Sequence, residues 1–176
     1  MRRVAVIGNV GSGKSTLARA LAASTGLPYH ELDELVGRPQ ARPPEIQAEL
    51  NREFIRRHTA LIAGPTWVID GIGIRRTVMD RLEAADTIIH IDRPPWVNFL
   101  WAAKRAHGAD APEDRAAMLA DLDWIFPYVW YYHSRIRPRL LPELRRLAAQ
   151  KTVIALKSKA EIDAFLVVHC GPGANA

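Results

Sequence analysis

The segment Gly8-Asn9-Val10-Gly11-Ser12-Gly13-Lys14-Ser15 constrains this chain more than any other part of it. It fits the pattern G-x-x-x-x-G-K-[ST] without a mismatch. An apolar, β-branched run at residues 4–7 precedes it, and a helical pattern at residues 14–24 follows it. Strand, glycine loop and helix in that order wrap backbone amides around an anion. Glycines permit the close approach, and the helix N-terminus favours negative charge. On this reading Gly8, Asn9, Val10, Gly11, Ser12 and Gly13 form a P-loop. Lys14 bridges the β- and γ-phosphates, Ser15 offers its hydroxyl to Mg2+, and Thr16 bonds the α-phosphate. A plain glycine-rich turn is the alternative, and the complete motif in its proper setting argues against it. The motif speaks of phosphate binding and leaves the use of the phosphate open.

The same loop selects a fold class. Strand-like runs recur at residues 27–31, 67–69, 87–91 and 151–156. Helical patterns occupy residues 44–62 (through Ile46, Leu50, Phe54 and Leu61), 76–83, 97–106 and 160–168. Gly26 ends the first helix and Pro28 blocks its continuation. A long helical region after Pro112 is punctuated by Pro127, Pro138 and Pro142. Strands alternating with helices imply an α/β, three-layer P-loop NTPase fold with a five-stranded parallel sheet. Ligands in such sheets gather at the carboxyl ends of the strands. The length of 176 residues suits a single domain over residues 1–170, with a frayed tail at 171–176.

Composition excludes more than it selects. The formal charge of +5 fits an acidic ligand such as a nucleotide, and it fits weak nucleic-acid attraction equally. No DNA-binding motif is recognisable, so nucleic acid is not the expected partner. The one cysteine, Cys170, forms neither an internal disulfide nor a zinc cage. No apolar run approaches the roughly 20 residues of a membrane helix, and residues 4–7 are too short for a signal peptide. A cytoplasmic chain without membrane contact is the expectation. Oligomeric state is not legible.

Two carboxylates, Asp70 and Asp92, each end a strand-like run where an acid holds Mg2+ or its water. Each is also a natural turn residue. Asp33, after the short second strand, suits an acid that orients an acceptor hydroxyl or takes its proton. His30 and His90 read as structural. Residues 107–114 are small and polar, which suits a short lid over residues 105–115. Arg105 and Arg115 flank it, and Lys104, Arg135, Arg137 and Arg139 are further cations for a transferring phosphoryl group. Trp124, Tyr128 and Tyr131, with Phe126, Trp130 and Tyr132, read as packing against the sheet rather than as a stacking platform.

These residues carry a resemblance. The P-loop, His30-Glu31-Leu32-Asp33, Trp67-Val68-Ile69-Asp70-Gly71, Lys104-Arg105 and Thr152-Val153-Ile154-Ala155-Leu156-Lys157-Ser158 are similar to adenylate-kinase-like P-loop proteins. The branch is that labelled topology modulation proteins. The resemblance implies a nucleoside-monophosphate-kinase type of sheet, order 2-3-1-4-5, with a short lid. It implies ATP as donor, Mg2+ as cofactor, and a nucleotide or small hydroxyl or phosphate compound as acceptor. It favours Asp70 over Asp92 for the metal. It puts Arg105 and Lys157 near the adenine or phosphates, with catalytic cations among Arg105, Arg115 and Arg135. It places the acceptor near residues 33–63 and beside Asp70, Gly71, Arg75 and Arg76. Arg52, with Arg56 four positions on, suits an anionic acceptor group. True adenylate kinases carry Asp-Gly-Phe-Pro-Arg where this chain has Asp70-Gly71-Ile72-Gly73-Ile74-Arg75. That departure argues against AMP. A phosphotransferase and a nucleotide-dependent, DNA-associated regulator are the two functional readings.

Overall fold

A computed structural model describes residues 1–32, 44–107 and 112–171, apart from the side chains of residues 75, 106–107, 112–118 and 121. Asp33, the lid centre at 108–111, the tail at 172–176 and the side chains of Arg75 and Arg115 lie outside the described residues.

The chain begins with β1 (Arg3–Gly8), α1 (Lys14–Thr25), β2 (Tyr29–Glu31), α2 (Pro44–Ile62) and β3 (Trp67–Asp70). It continues through α3 (Arg75–Ala84), β4 (Thr87–Ile91), α4 (Pro95–His107) and α5 (Pro112–Tyr131). A π-helical turn (Tyr132–Ile136) leads into α6 (Arg137–Leu147), followed by β5 (Thr152–Leu156) and α7 (Lys159–Cys170). The sheet runs β2-β3-β1-β4-β5, every pair parallel. No helix among the described residues is long and apolar enough to cross a membrane.

Strand alternation divides the core into two layers. Val4 and Val6 of β1 turn to one face, with Val68, Ile89, the α1 residues Leu17 and Leu21, and Ile162 and Phe165 of α7. Ala5 and Ile7 turn to the other, with Trp67, Ile69 and Ile88, under Phe54, Leu82, Tyr132, Leu140 and Leu144. β1 and β4 are covered on both faces, so Val4–Ile7 and Ile88–Ile89 are apolar without alternation. Each fully buried aliphatic side chain here contributes about 1.5–3 kcal/mol. α4 and α5 add a smaller cluster around Ala102, Ile125 and Val129.

Three expectations are corrected. Ile46 and Leu50 continue the apolar period of α2 but are exposed; only Phe54 and His58 of that helix are buried. The region after Pro112 is not broken by its prolines: Pro127 lies inside α5 and Pro142 inside α6. Pro138 follows the π turn, in which the Arg137 N–H donates to the Tyr132 carbonyl. A wider turn gives the proline ring room against the preceding carbonyls, where an α-turn would clash. The aromatic group does not pack as a unit: Tyr132 is buried, whereas Phe126, Trp130 and Tyr131 are exposed.

Candidate active site

The P-loop leaves β1 at Gly8 and enters α1 at Lys14. Gly11 and Gly13 have φ of 72° and 95°, a region only glycine enters without strain. A Cβ on Gly11 would lie 2.2 Å from the Asn98 carbonyl oxygen, so the loop runs hard against α4. Gly13 faces open space, with nothing within 4 Å of a Cβ there. Asn9 ties the loop to α5: its Nδ2 donates to the Val129 carbonyl at 3.0 Å and its Oδ1 accepts from the Val10 N–H at 2.8 Å. Ser12 is fully buried, and its hydroxyl has no partner among the described residues. Lys14 is nearly buried, Ser15 half-buried and Thr16 exposed. These features make an anion cradle whose walls are α4, α5 and the first turn of α1.

Asp70 and Asp92 have different surroundings. Asp70 is fully buried at the end of β3, level with Glu31 of β2 and Val6 of β1. It follows Val68 in the strand alternation, so it faces the α1 layer. The Tyr29 hydroxyl lies 3.3 Å from Asp70 Oδ1 and 3.1 Å from Glu31 Oε2. One phenolic proton serves whichever carboxylate it faces. Burial, then the charges of Asp70 and Glu31, push the Tyr29 pKa up, so it remains a donor. Arg19 of α1 pairs with Glu31 and lies over the Tyr29 ring. Asp92 faces the opposite layer and is held by Arg137, Nε at 2.6 Å and Nη2 at 2.7 Å. Burial opposes the Asp92 charge, but Arg137 and His90 outweigh it and hold its pKa below the usual range. Asp92 is thus committed to a fork-shaped ion pair.

Beyond Asp70 the chain turns through Gly71, whose N–H donates to the Val6 carbonyl at 3.2 Å. Its carbonyl accepts from Arg81 Nη2 at 2.6 Å. Arg81 is fully buried and also reaches His58 Nε2 at 3.3 Å. Ile72 and Gly73 then form one wall of a cavity of about 780 Å³. Val78 and Met79 of α3 line it, as do Tyr128, Tyr131, Arg135, Arg139 and Glu143 of the α5–π–α6 run. Its size and mixed lining suit a small organic ligand with an anionic group.

Of the sequence candidates, the P-loop residues, Asp70 and Gly71 gather at the carboxyl ends of β1 and β3. Arg135 comes to the cavity. Arg52 and Arg76 are exposed and do not line it, and Arg56 is paired with Glu53 at 2.7 Å. Lys104 and Arg105 are exposed on α4, and Lys157 is exposed after β5. His90 is buried, and its Nε2 lies 3.3 Å from the Tyr132 hydroxyl. Sequence reasoning gave no role to Tyr29, Glu31, Arg81 or Glu143, and offered Arg139 as a cation for the transferring group rather than as part of the cavity lining. The one usable signal was helical spacing of Tyr131, Arg135 and Arg139, hidden by the proline punctuation.

No family model matches this chain, and no curated protein does. Solved structures match it along its whole length. A sugar kinase from Janibacter sp. HTCC2649 is 22% identical, with a TM-score of 0.50 over 100% of this chain and 99% of that one. Shikimate kinase from Aquifex aeolicus vf5 is 18% identical, with a TM-score of 0.51 over 99% of each chain. A gluconokinase from Sinorhizobium meliloti 1021 is 17% identical, with a TM-score of 0.52 over 98% of this chain and 91% of that one. The topology-modulation branch has no counterpart among these three. At such identities the likeness is one of architecture: this chain has the fold of the P-loop small-molecule kinases.

Proposed function

We propose that this protein transfers the γ-phosphoryl group of ATP, with Mg2+, to a small anionic hydroxyl compound bound in the Ile72–Glu143 cavity. One observation carries the reading. The P-loop and a cavity bearing Arg135 and Arg139 flank the same strand ends, joined through the Gly71–Val6 hydrogen bond. Phosphoryl transfer demands little covalent chemistry from a protein and much positioning and positive charge. The structural neighbours are named as sugar, shikimate and glucono-kinases, which supports a small-molecule acceptor.

In this account Lys14 and the loop amides neutralise the β- and γ-phosphates. Ser15 and Asp70, rather than Asp92, would hold Mg2+. Hydroxyl and carboxylate are hard oxygen donors. No group of three or more acidic, His or Cys side chains capable of holding a metal occurs among the described residues. The ion would therefore take its other ligands from phosphate and water, as Mg2+ does. Held there, Mg2+ would supply positive charge against the charge that develops on the phosphate oxygens. Arg135 and Arg139 grip the acceptor's anionic group, and Glu143 bonds a hydroxyl. Asp33 takes the acceptor proton. Arg105 and Arg115 would supply positive charge to the transferring group. A cytoplasmic setting supplies ATP and Mg2+ together.

The test is ADP release from MgATP against a panel of hydroxy acids, sugar phosphates and nucleoside monophosphates. At least one anionic hydroxyl compound should stimulate release, and Lys14→Ala should abolish it. Release that no acceptor stimulates would overturn the reading.

A further inference from the structure

Parallel pairing sets Tyr29 opposite Val68 and Glu31 opposite Asp70. Residues two apart on a strand share a face, so Tyr29, Glu31, Val68 and Asp70 all turn to the α1 layer. Tyr29 is therefore the diagonal neighbour of Asp70 across the two strands, a separation that an aromatic side chain can span. Its hydroxyl stands 3.3 Å from Asp70 Oδ1 and 3.1 Å from Glu31 Oε2. The ring packs against the core layer of α1 and α7, and the Arg19 guanidinium lies over it, 5.6 Å from the centroid.

One phenolic proton thus faces two carboxylates whose needs differ. Glu31 Oε2 already accepts from Arg19 Nη2, and the Glu31 side chain is 15% exposed. Asp70 is fully buried. A buried carboxylate depends on donors from the protein, whereas one with a guanidinium and partial access to water depends on them less. The phenolic proton therefore goes to Asp70. A donor fixed on Oδ1 sets the rotation of the carboxylate and the direction of its remaining lone pairs, as outer groups do for the side chains that ligate a metal ion. Arg19, by occupying Glu31, keeps the phenol for that use.

We infer that Tyr29 is a positioning residue for the Asp70 carboxylate, and that Arg19 and Glu31 hold Tyr29 in place. The inference rests on the phosphotransferase reading, in which Asp70 would hold Mg2+, and names the group that aims it. Tyr29 acts through Asp70 and not on the nucleotide itself.

The experiment measures ATP binding by calorimetry, once with Mg2+ and once with a chelator in its place, so that the ratio of the two affinities reports the metal. Tyr29→Phe keeps the ring and removes the hydroxyl. It should lower that ratio about tenfold and leave the metal-free ATP affinity unchanged. A hydroxyl that served only the fold would lower Tm and leave the ratio as it is. Arg19→Met should lower the ratio less than Tyr29→Phe, and Arg19→Lys should restore part of it. Asp70→Asn should lower the ratio by itself, and adding Tyr29→Phe to it should change nothing further, because the two act as one unit. A ratio unaltered by Tyr29→Phe, or lowered equally with and without the Asp70 carboxylate, would overturn the assignment while leaving the phosphotransferase reading intact. A wild-type protein whose ATP affinity gains nothing from Mg2+ would sink both the metal role of Asp70 and the assignment.

Discussion

Alanine at Gly11 and alanine at Gly13 separate two costs that a P-loop imposes. Both positions have positive φ, 72° and 95°. An L-residue there costs about 1–2 kcal/mol. At Gly13 nothing else is disturbed, because no atom lies within 4 Å of the added Cβ. At Gly11 the Cβ would come within 2.2 Å of the Asn98 carbonyl oxygen and 3.3 Å of the Ala102 Cβ. Backbone cannot swing aside as a side-chain tip does, so α4 must retreat, and overpacking of this kind costs about 1–3 kcal/mol more. The totals are roughly 1–2 kcal/mol for Gly13→Ala and 2–5 kcal/mol for Gly11→Ala. In a chain of this length each kcal/mol moves Tm by about 2–4 °C. Thermal unfolding followed by circular dichroism, without nucleotide, reads folding cost free of lost phosphate contacts. Gly11→Ala should melt several degrees below Gly13→Ala. Equal melting temperatures, or the reverse order, would refute the contact between loop and α4.

Acid should weaken the fold through two buried histidines. Burial, with Arg81 beside His58, lowers that pKa from 6.5 to about 4, and burial lowers His90 from 6.5 to about 4 against the pull of Asp92. The unfolded chain then binds protons that the folded chain refuses, so stability is complete above pH 6.5 and falls as pH drops toward 4. By pH 5 the loss should reach about 4 kcal/mol in urea unfolding, and His58→Leu should flatten the slope by roughly half. An unchanged urea midpoint between pH 7.5 and pH 5 would refute this. Arg81→Met leaves the Gly71 carbonyl without its donor and should cost about 1–3 kcal/mol by the same assay. Arg137→Ala strands the Asp92 carboxylate, whose side chain is 11% exposed, and should cost about 3 kcal/mol at pH 7.5, with partial recovery as Asp92 is protonated in acid.

What the sequence revealed was local. Strand, glycine loop and helix are contiguous, and Thr87–Ile91 is a β-branched run interrupted only by His90, so the P-loop and the strands were legible. The choice between Asp70 and Asp92 was not, because both end strands before a turn. They differ through strand alternation and through Arg137, which lies 45 residues from Asp92. The cavity was less legible still. Its walls come from residues 72–79 and 128–143, and the π turn sets their register. Proline misled because its cost within a helix, about 3 kcal/mol, is offset where Val129, Leu140 and Leu144 are buried beside it. Ile46 and Leu50 misled in the opposite sense: apolar spacing shows that a helix has a face, not that anything covers it.

The central claim is that a phosphoryl group passes from the P-loop to a compound in the Arg135–Arg139 cavity. Mass spectrometry of products, from MgATP incubated with the acceptor panel, tests it most directly. The account predicts an ATP-dependent phosphorylated hydroxy compound that vanishes with Lys14→Ala and needs far more acceptor with Arg139→Ala. Tight ATP binding with no phosphorylated product, or a product whose formation is indifferent to Arg135 and Arg139 together, would contradict it.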